Sequence, residues 1–143
     1  MLTKALFLLA TAIAPANAKD SQFKDVEIDK AAPAFTLKDL SGETVNLADH
    51  KGKVVVLEWF NPGCPFVKQA HEAGGALESM ASTWTEKGVV WLAINSGKPG
   101  KQGTGVETND AAQKKWNMAH PVLLDEDGQV GRAYAAKTTP QMV

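Results

Sequence analysis

Cysteine is almost absent from this 143-residue sequence, with Cys64 the only one. No disulfide can therefore close within the chain. Histidine is nearly as scarce. His50, His71 and His120 lack the spacing of a zinc-ligand set, so no metal site is expected. Long hydrophobic runs are missing too, since the longest, Ala5 to Ala14, is far shorter than the ~20 residues of a membrane-spanning helix. Neither sign of charge dominates. With 15 basic and 16 acidic residues the net charge is −1, there is no basic patch to attract nucleic acid, and there is no acidic tail. The glycine- and lysine-rich stretch Gly97–Gly105 fails the phosphate-loop pattern, because neither Gly97-Lys98 nor Gly100-Lys101 is followed by Ser or Thr. Asp125-Glu126-Asp127-Gly128 lacks the carboxylate spacing of a calcium loop and reads as a turn. No cofactor is expected, and there is no internal repeat or low-complexity tract.

What is present begins with a leader. Lys4 precedes the apolar run, and Pro15-Ala16-Asn17-Ala18 supplies the small-x-small site of a signal peptidase. Residues 1–18 read as a signal peptide, 19–32 as an extended arm and 33–143 as one domain, a common size for a folding unit. Export makes Cys64 conspicuous. In an oxidising compartment an unpaired cysteine is a buried hydrophobe, an intermolecular partner or a working thiol.

Ala34–Leu37 and Thr44–Leu47 alternate across a turn, which predicts an N-terminal β-hairpin. Val54–Phe60 is a continuous β-branched and aromatic run, the pattern of a central strand covered on both faces. Val89–Ile94 and Val122–Leu124 repeat that pattern. A helix is expected to start after Cys64, because Pro65 suits the first helical position, and to break at Gly74-Gly75. Further helices are expected over Asn109–Met118 and Gln129–Ala136. Strands alternating with helices predict an α/β fold with a mixed, mainly parallel sheet. Thr138–Val143 reads as the entry into another strand, with the last strands and helix missing. Trp59, Trp84, Trp91 and Trp116 are expected in the core or a groove.

The chemistry concentrates at Leu57–Val67, where a buried strand ends, Pro62-Gly63 turns the chain, and Cys64 stands at a helix start. Unsatisfied backbone N–H groups and the helix dipole favour a thiolate there, and the thiolate is the nucleophile. The alternative is an inert buried thiol. Glu58 within an apolar strand must be paired, neutral or hydrated, which leaves a proton-moving role and a structural one both open. Lys68, one turn past Cys64, is read as solvated, and His71 as too far along the helix to be an assured base.

This segment resembles the active-site loop of thioredoxin-like proteins, in which a strand runs into W-C-x-x-C. Cys64 takes the nucleophile's place and Val67 that of the resolving cysteine. Glu58 matches the buried acid of that group, and Thr139-Pro140 matches its cis-proline loop. Trp59–Lys68 and Gly131–Pro140 resemble more closely the exported redoxins grouped with alkyl hydroperoxide reductase and thiol-specific antioxidant proteins (AhpC/TSA). The resemblance implies a thioredoxin-like fold and a thiol-dependent oxidoreductase or antioxidant located in the periplasm of a Gram-negative bacterium. Its nucleophile would be Cys64, with Glu58 and Asn61 as catalytic partners and Pro65, Phe66, Thr139 and Pro140 around the substrate. The partner would be an external thiol reductant or a protein disulfide, with no membrane span after signal cleavage.

Two departures matter. Val67 rules out dithiol exchange inside the loop, and Leu57 and Asn61 stand where the peroxiredoxin pattern P-x-x-x-T-x-x-C has proline and threonine. Attack of Cys64 on peroxide and attack on a disulfide both remain open, as does a non-catalytic module that binds a partner thiol or peptide.

Overall fold

The computed structural model describes residues 29–143. The signal-peptide reading and most of the predicted arm lie outside them. Among the described residues no helix is long and apolar enough to cross a membrane.

A hairpin opens the fold, with β1 (Thr36–Asp39) antiparallel to β2 (Thr44–Asn46). The Asp39 carboxylate closes the turn by accepting from the Ser41 and Glu43 N–H groups at 2.9 Å each. Then come β3 (Val55–Trp59), α1 (Pro65–His71), α2 (Met80–Thr85), β4 (Val90–Asn95) and α3 (Val106–Lys115). The chain ends with β5 (Val122–Leu124), α4 (Gln129–Ala133) and β6 (Gln141–Met142). The six strands form one sheet in the order β2-β1-β5-β4-β3-β6. β3, β4 and β5 run parallel in its middle, while β1 and β6 join antiparallel on either side. Val143 extends the last pairing by exchanging both backbone bonds with Leu57, at 2.8 and 3.0 Å.

Side chains on a strand alternate between faces, and that alternation sorts the core. Leu57 and Trp59 on β3 join Leu92 and Ile94 on β4 in a cluster with Phe35, Val130 and Tyr134, which covers one face with α4 and the hairpin. Phe60 and Ala93 face the other way, onto Val67 of α1, Ala112 of α3 and Trp116 just past the end of α3. Trp91 meets Leu77 and Ala81 below α2. Each fully buried large side chain contributes ~1.5–3 kcal/mol. Glu58 lies on the same face as Phe60, so the pleat directs a carboxyl group into the α1–α3 layer.

Several boundaries differ from expectation. The hairpin's first strand sits two residues later, at Thr36–Asp39. The helix expected over Asn109–Met118 occupies Val106–Lys115, because Asn109 is fully buried and its amide donates to the Gly105 carbonyl at 2.7 Å, which binds the first turn. It stops at Trp116, followed by left-handed Asn117. The helix expected to reach Ala136 ends at Ala133, and Ala135 is left-handed at φ +50°. The break at Gly74-Gly75 is present, with Gly74 at φ +78°. Trp84 corrects the reading of all four tryptophans as core or groove residues. It is 46% exposed, with the Lys87 ammonium over its ring.

Candidate active site

β3 delivers the chain to the top of the sheet, and Asn61–Gly63 turns it into α1. Asn61 builds that turn. Its Oδ1 accepts from the Gly63 N–H at 2.7 Å, and its backbone carbonyl accepts from the Cys64 N–H at 2.9 Å. Its Nδ2 donates to the Gln102 carbonyl at 3.1 Å, and Gln102 Nε2 donates back to the Gly63 carbonyl at 3.2 Å. The Gly97–Gly105 loop is therefore fastened to the cysteine turn through Gln102. Gly103 makes the approach feasible. It sits at φ +72°, and a Cβ there would run into Asn61 Oδ1.

Cys64 caps α1 and is half-buried. Its thiol donates to the Thr139 carbonyl at 3.2 Å, and the Thr139–Pro140 peptide is cis. Burial, the largest influence, pushes the thiol pKa up, and the backbone N–H groups of Val67 and Phe66 pull it down, the net direction being down. The Thr139 contact is a donation that only the protonated sulfur can make, so it holds the thiol in place without favouring the anion. The anion is favoured by the two N–H groups at the helix start. Pro65 and Phe66 are exposed beside the sulfur, Phe66 at 70%. Lys68 is exposed, as expected. The structure thus brings Cys64, Asn61, Pro65, Phe66, Thr139 and Pro140 to one edge of the sheet.

Glu58 is placed apart from them. It is fully buried, with Oε1 2.6 Å from His71 Nε2 and Oε2 accepting the Trp91 indole N–H at 2.9 Å. His120 Nε2 lies 4.0 Å from Oε2, buried and without a hydrogen-bond partner among the described residues. Desolvation lowers the His120 pKa to about 4; Glu58 opposes this and His71 adds to it. His71 also stacks on Trp116, with ring centroids 5.3 Å apart. Cys64, Val67 and His71 follow one another at helical spacing, so the apolar side chain of fully buried Val67 comes between the sulfur and the acid cluster. No hydrogen bond joins Glu58 to Cys64 among the described residues.

Sequence reasoning missed His71, Trp91 and His120 as partners of Glu58. One signal was available: His71 lies four residues beyond Val67, on the helix face that must meet β3. A second network was also missed. Trp59 Nε1 donates to Ser96 Oγ at 3.1 Å, and Ser96 Oγ donates to Asp125 Oδ2 at 2.6 Å. Asp125 also accepts the N–H groups of Val130 and Gly131 in the first turn of α4.

A parallel β3-β4-β5 core, an antiparallel strand following a cis-proline, and a cysteine at the start of the helix after β3 define a thioredoxin-like fold with a monothiol loop. Residues 28–143 match the AhpC/TSA family, and the chain belongs to it. It is 28% identical over 123 residues to the thiol-disulfide oxidoreductase ResA of Bacillus cereus, covering 84% of this chain and 64% of that protein. To the chloroplastic peroxiredoxin Q of Populus jackii it is 29% identical over 122 residues, covering 82% of this chain and 51% of that one. A solved structure of a hypothetical protein from Sinorhizobium meliloti superposes with a TM-score of 0.72 at 28% identity, covering 83% of this chain and 64% of that one. The chain spans less than two thirds of the length of each of these relatives.

Proposed function

We propose that this protein is a thiol-dependent oxidoreductase whose attacking thiol is Cys64, acting by thiol–disulfide exchange with a substrate disulfide. The observation that carries the reading is the half-buried Cys64 sulfur, 3.2 Å from the carbonyl of Thr139 on the cis-proline loop, with helix N–H groups lowering its pKa. The thiolate attacks one sulfur of the disulfide, forms a mixed disulfide and releases the other half as a thiolate. A second, external thiolate then attacks the mixed disulfide, leaves with the substrate half as a new disulfide, and restores Cys64. Asn61 holds the turn, the Phe66 and Val67 N–H groups take the sulfur's charge, and Pro65, Phe66, Thr139 and Pro140 border the incoming chain. Glu58 serves the scaffold.

Family membership and relatives of both kinds support thiol chemistry, and the departures support disulfide over peroxide. Asn61 replaces the threonine of the peroxiredoxin pattern, and its Oδ1 is occupied by the Gly63 N–H at 2.7 Å. The signal-like start, Met1–Ala18, supports a periplasmic location, where protein disulfides are at hand. The test mixes reduced protein with hydrogen peroxide and, separately, with a model disulfide, and follows Cys64 by intact mass with Cys64→Ser as control. Adduct formation with the disulfide faster than a free thiol supports the reading. Faster oxidation by peroxide alone would make the protein a peroxidase. Reaction with neither would leave a thiol- or peptide-binding module.

A further inference from the structure

Beyond the carboxyl ends of β3 and β4 lies a cleft of about 230 Å³, walled by Trp59, Phe60, Asn61, Asn95, Ser96 and residues 136–139. Ligands in sheets with parallel strands gather at such ends. Two of its wall residues also hold the active loop: Thr139 accepts the Cys64 thiol at 3.2 Å, and the Asn61 carbonyl accepts the Cys64 N–H at 2.9 Å. The cleft therefore adjoins the sulfur, on the side of the cis-proline loop.

Its inner polar groups are already used. Asn95 donates to the Gly103 carbonyl and to Asn109 Oδ1, each at 2.8 Å, and accepts from the Gly97 N–H at 3.0 Å. Ser96 and the Trp59 indole are joined to each other and to Asp125. The interior is thus neutral and satisfied. Lys137 is the only ionisable wall residue, and it is exposed. Its ammonium forms no ion pair or hydrogen bond with any described residue, since the ion pairs there are those of His71, His120, Lys114 and Lys115. A satisfied neutral interior with one unpartnered cation suits a ligand that is uncharged along its body and negative at one end. A volume of about 230 Å³ falls below the ~300–1,000 Å³ of drug-sized pockets. It admits one arm of a small molecule rather than a protein loop.

We propose that this cleft seats the carboxylate-bearing arm of a small thiol or of its disulfide, and that Lys137 selects that arm by its charge. The inference rests on Cys64 exchanging with disulfides. It assigns an anionic low-molecular-weight thiol as the external reductant that resolves the Cys64 mixed disulfide. The bonds are those of ordinary exchange: the small thiolate forms one S–S bond to the substrate half, Cys64 leaves as thiolate, and no further oxidant or reductant is needed.

The test measures second-order rates of Cys64 adduct formation with 3,3′-dithiodipropionate (anionic), cystamine (cationic) and hydroxyethyl disulfide (neutral), by intact mass at low salt. The anionic probe is expected to lead the cationic one by roughly fivefold, the size of one exposed charge interaction. That ratio should fall to about one in Lys137→Gln, invert in Lys137→Glu, and persist in Lys137→Arg. Salt should compress it in the wild type. Equal ratios in wild type, Lys137→Gln and Lys137→Glu would overturn the cleft assignment while leaving disulfide exchange intact. Failure of Cys64 to react with any of the three probes would remove the oxidoreductase reading, and this assignment with it.

Discussion

Val67 separates two regions that share one helix and have opposite surroundings. On its outer side Cys64 is half-exposed, flanked by exposed Pro65 and Phe66, and held by a carbonyl and backbone N–H groups. On its inner side Glu58, His71 and His120 are 0%, 4% and 6% exposed, and Glu58 is held by His71 and Trp91. The sulfur reaches solvent, whereas the acid does not. In dithiol loops a second cysteine links such regions, and here a valine stands in its place. The contrast is between a sulfur at the surface and an acid sealed beneath it, with the fully buried Val67 between them. The acid's hydrogen bonds hold α1 to β3 and β4.

Cutting the inner region should give the largest effect. His71→Ala leaves a buried carboxyl group short of a partner and should destabilise the fold by roughly 3–5 kcal/mol in urea unfolding. Adding Glu58→Gln should recover part of that loss, since an amide is less costly to leave unpaired than a carboxylate. An undiminished midpoint in His71→Ala would mean that the two regions do not differ in role. The next effect is that of pH. The His120 pKa falls from 6.5 to about 4 on folding, so the unfolded chain binds more protons between those values and stability declines as pH drops through that window. The loss is about 3 kcal/mol when complete, and His120→Phe should remove most of it.

Two smaller perturbations sharpen the outer region. Asn61→Ala deletes the bonds to Gly63 and Gln102 and should cost about 1–2 kcal/mol, with Cys64 alkylation accelerated as the turn loosens. Val67→Cys should change stability by less than ~1.5 kcal/mol, because the side chains are similar in size. Residues three apart on a helix lie within disulfide reach, so this variant should oxidise to an internal bridge between Cys64 and the introduced thiol, visible as a loss of about 2 Da by mass. Failure to bridge would show that position 67 does not face the sulfur.

The path to Cys64 was readable because local rules set it. Val55–Trp59 and Val90–Asn95 are runs too short for helices, Pro65 starts α1, and the chain has left the helix at Glu72, just before Gly74-Gly75. Thr139-Pro140 was readable only through its family likeness, which the cis peptide and the contact to Cys64 match. The acid cluster was not readable, since Glu58 lies 13 residues from His71 and 33 from Trp91, and only β3–β4 registry and α1 packing join them. Helix ends failed for a similar reason. Asn109 looks like a helix start, but its side chain is drawn inward by Asn95 and the Gly103 and Gly105 carbonyls. The Lys137 cleft has no sequence signature, because it forms where two loops meet over the strand ends.

The most direct test of the account is the rate of Cys64 exchange with a neutral disulfide as a function of pH, in the wild type and in Glu58→Gln. A single titration with midpoint below the ordinary thiol value, unchanged in midpoint by Glu58→Gln, is the predicted result. A rate no greater than that of a free cysteine, or a midpoint that moves with Glu58, would contradict a monothiol mechanism carried by Cys64 and its helix N–H groups alone.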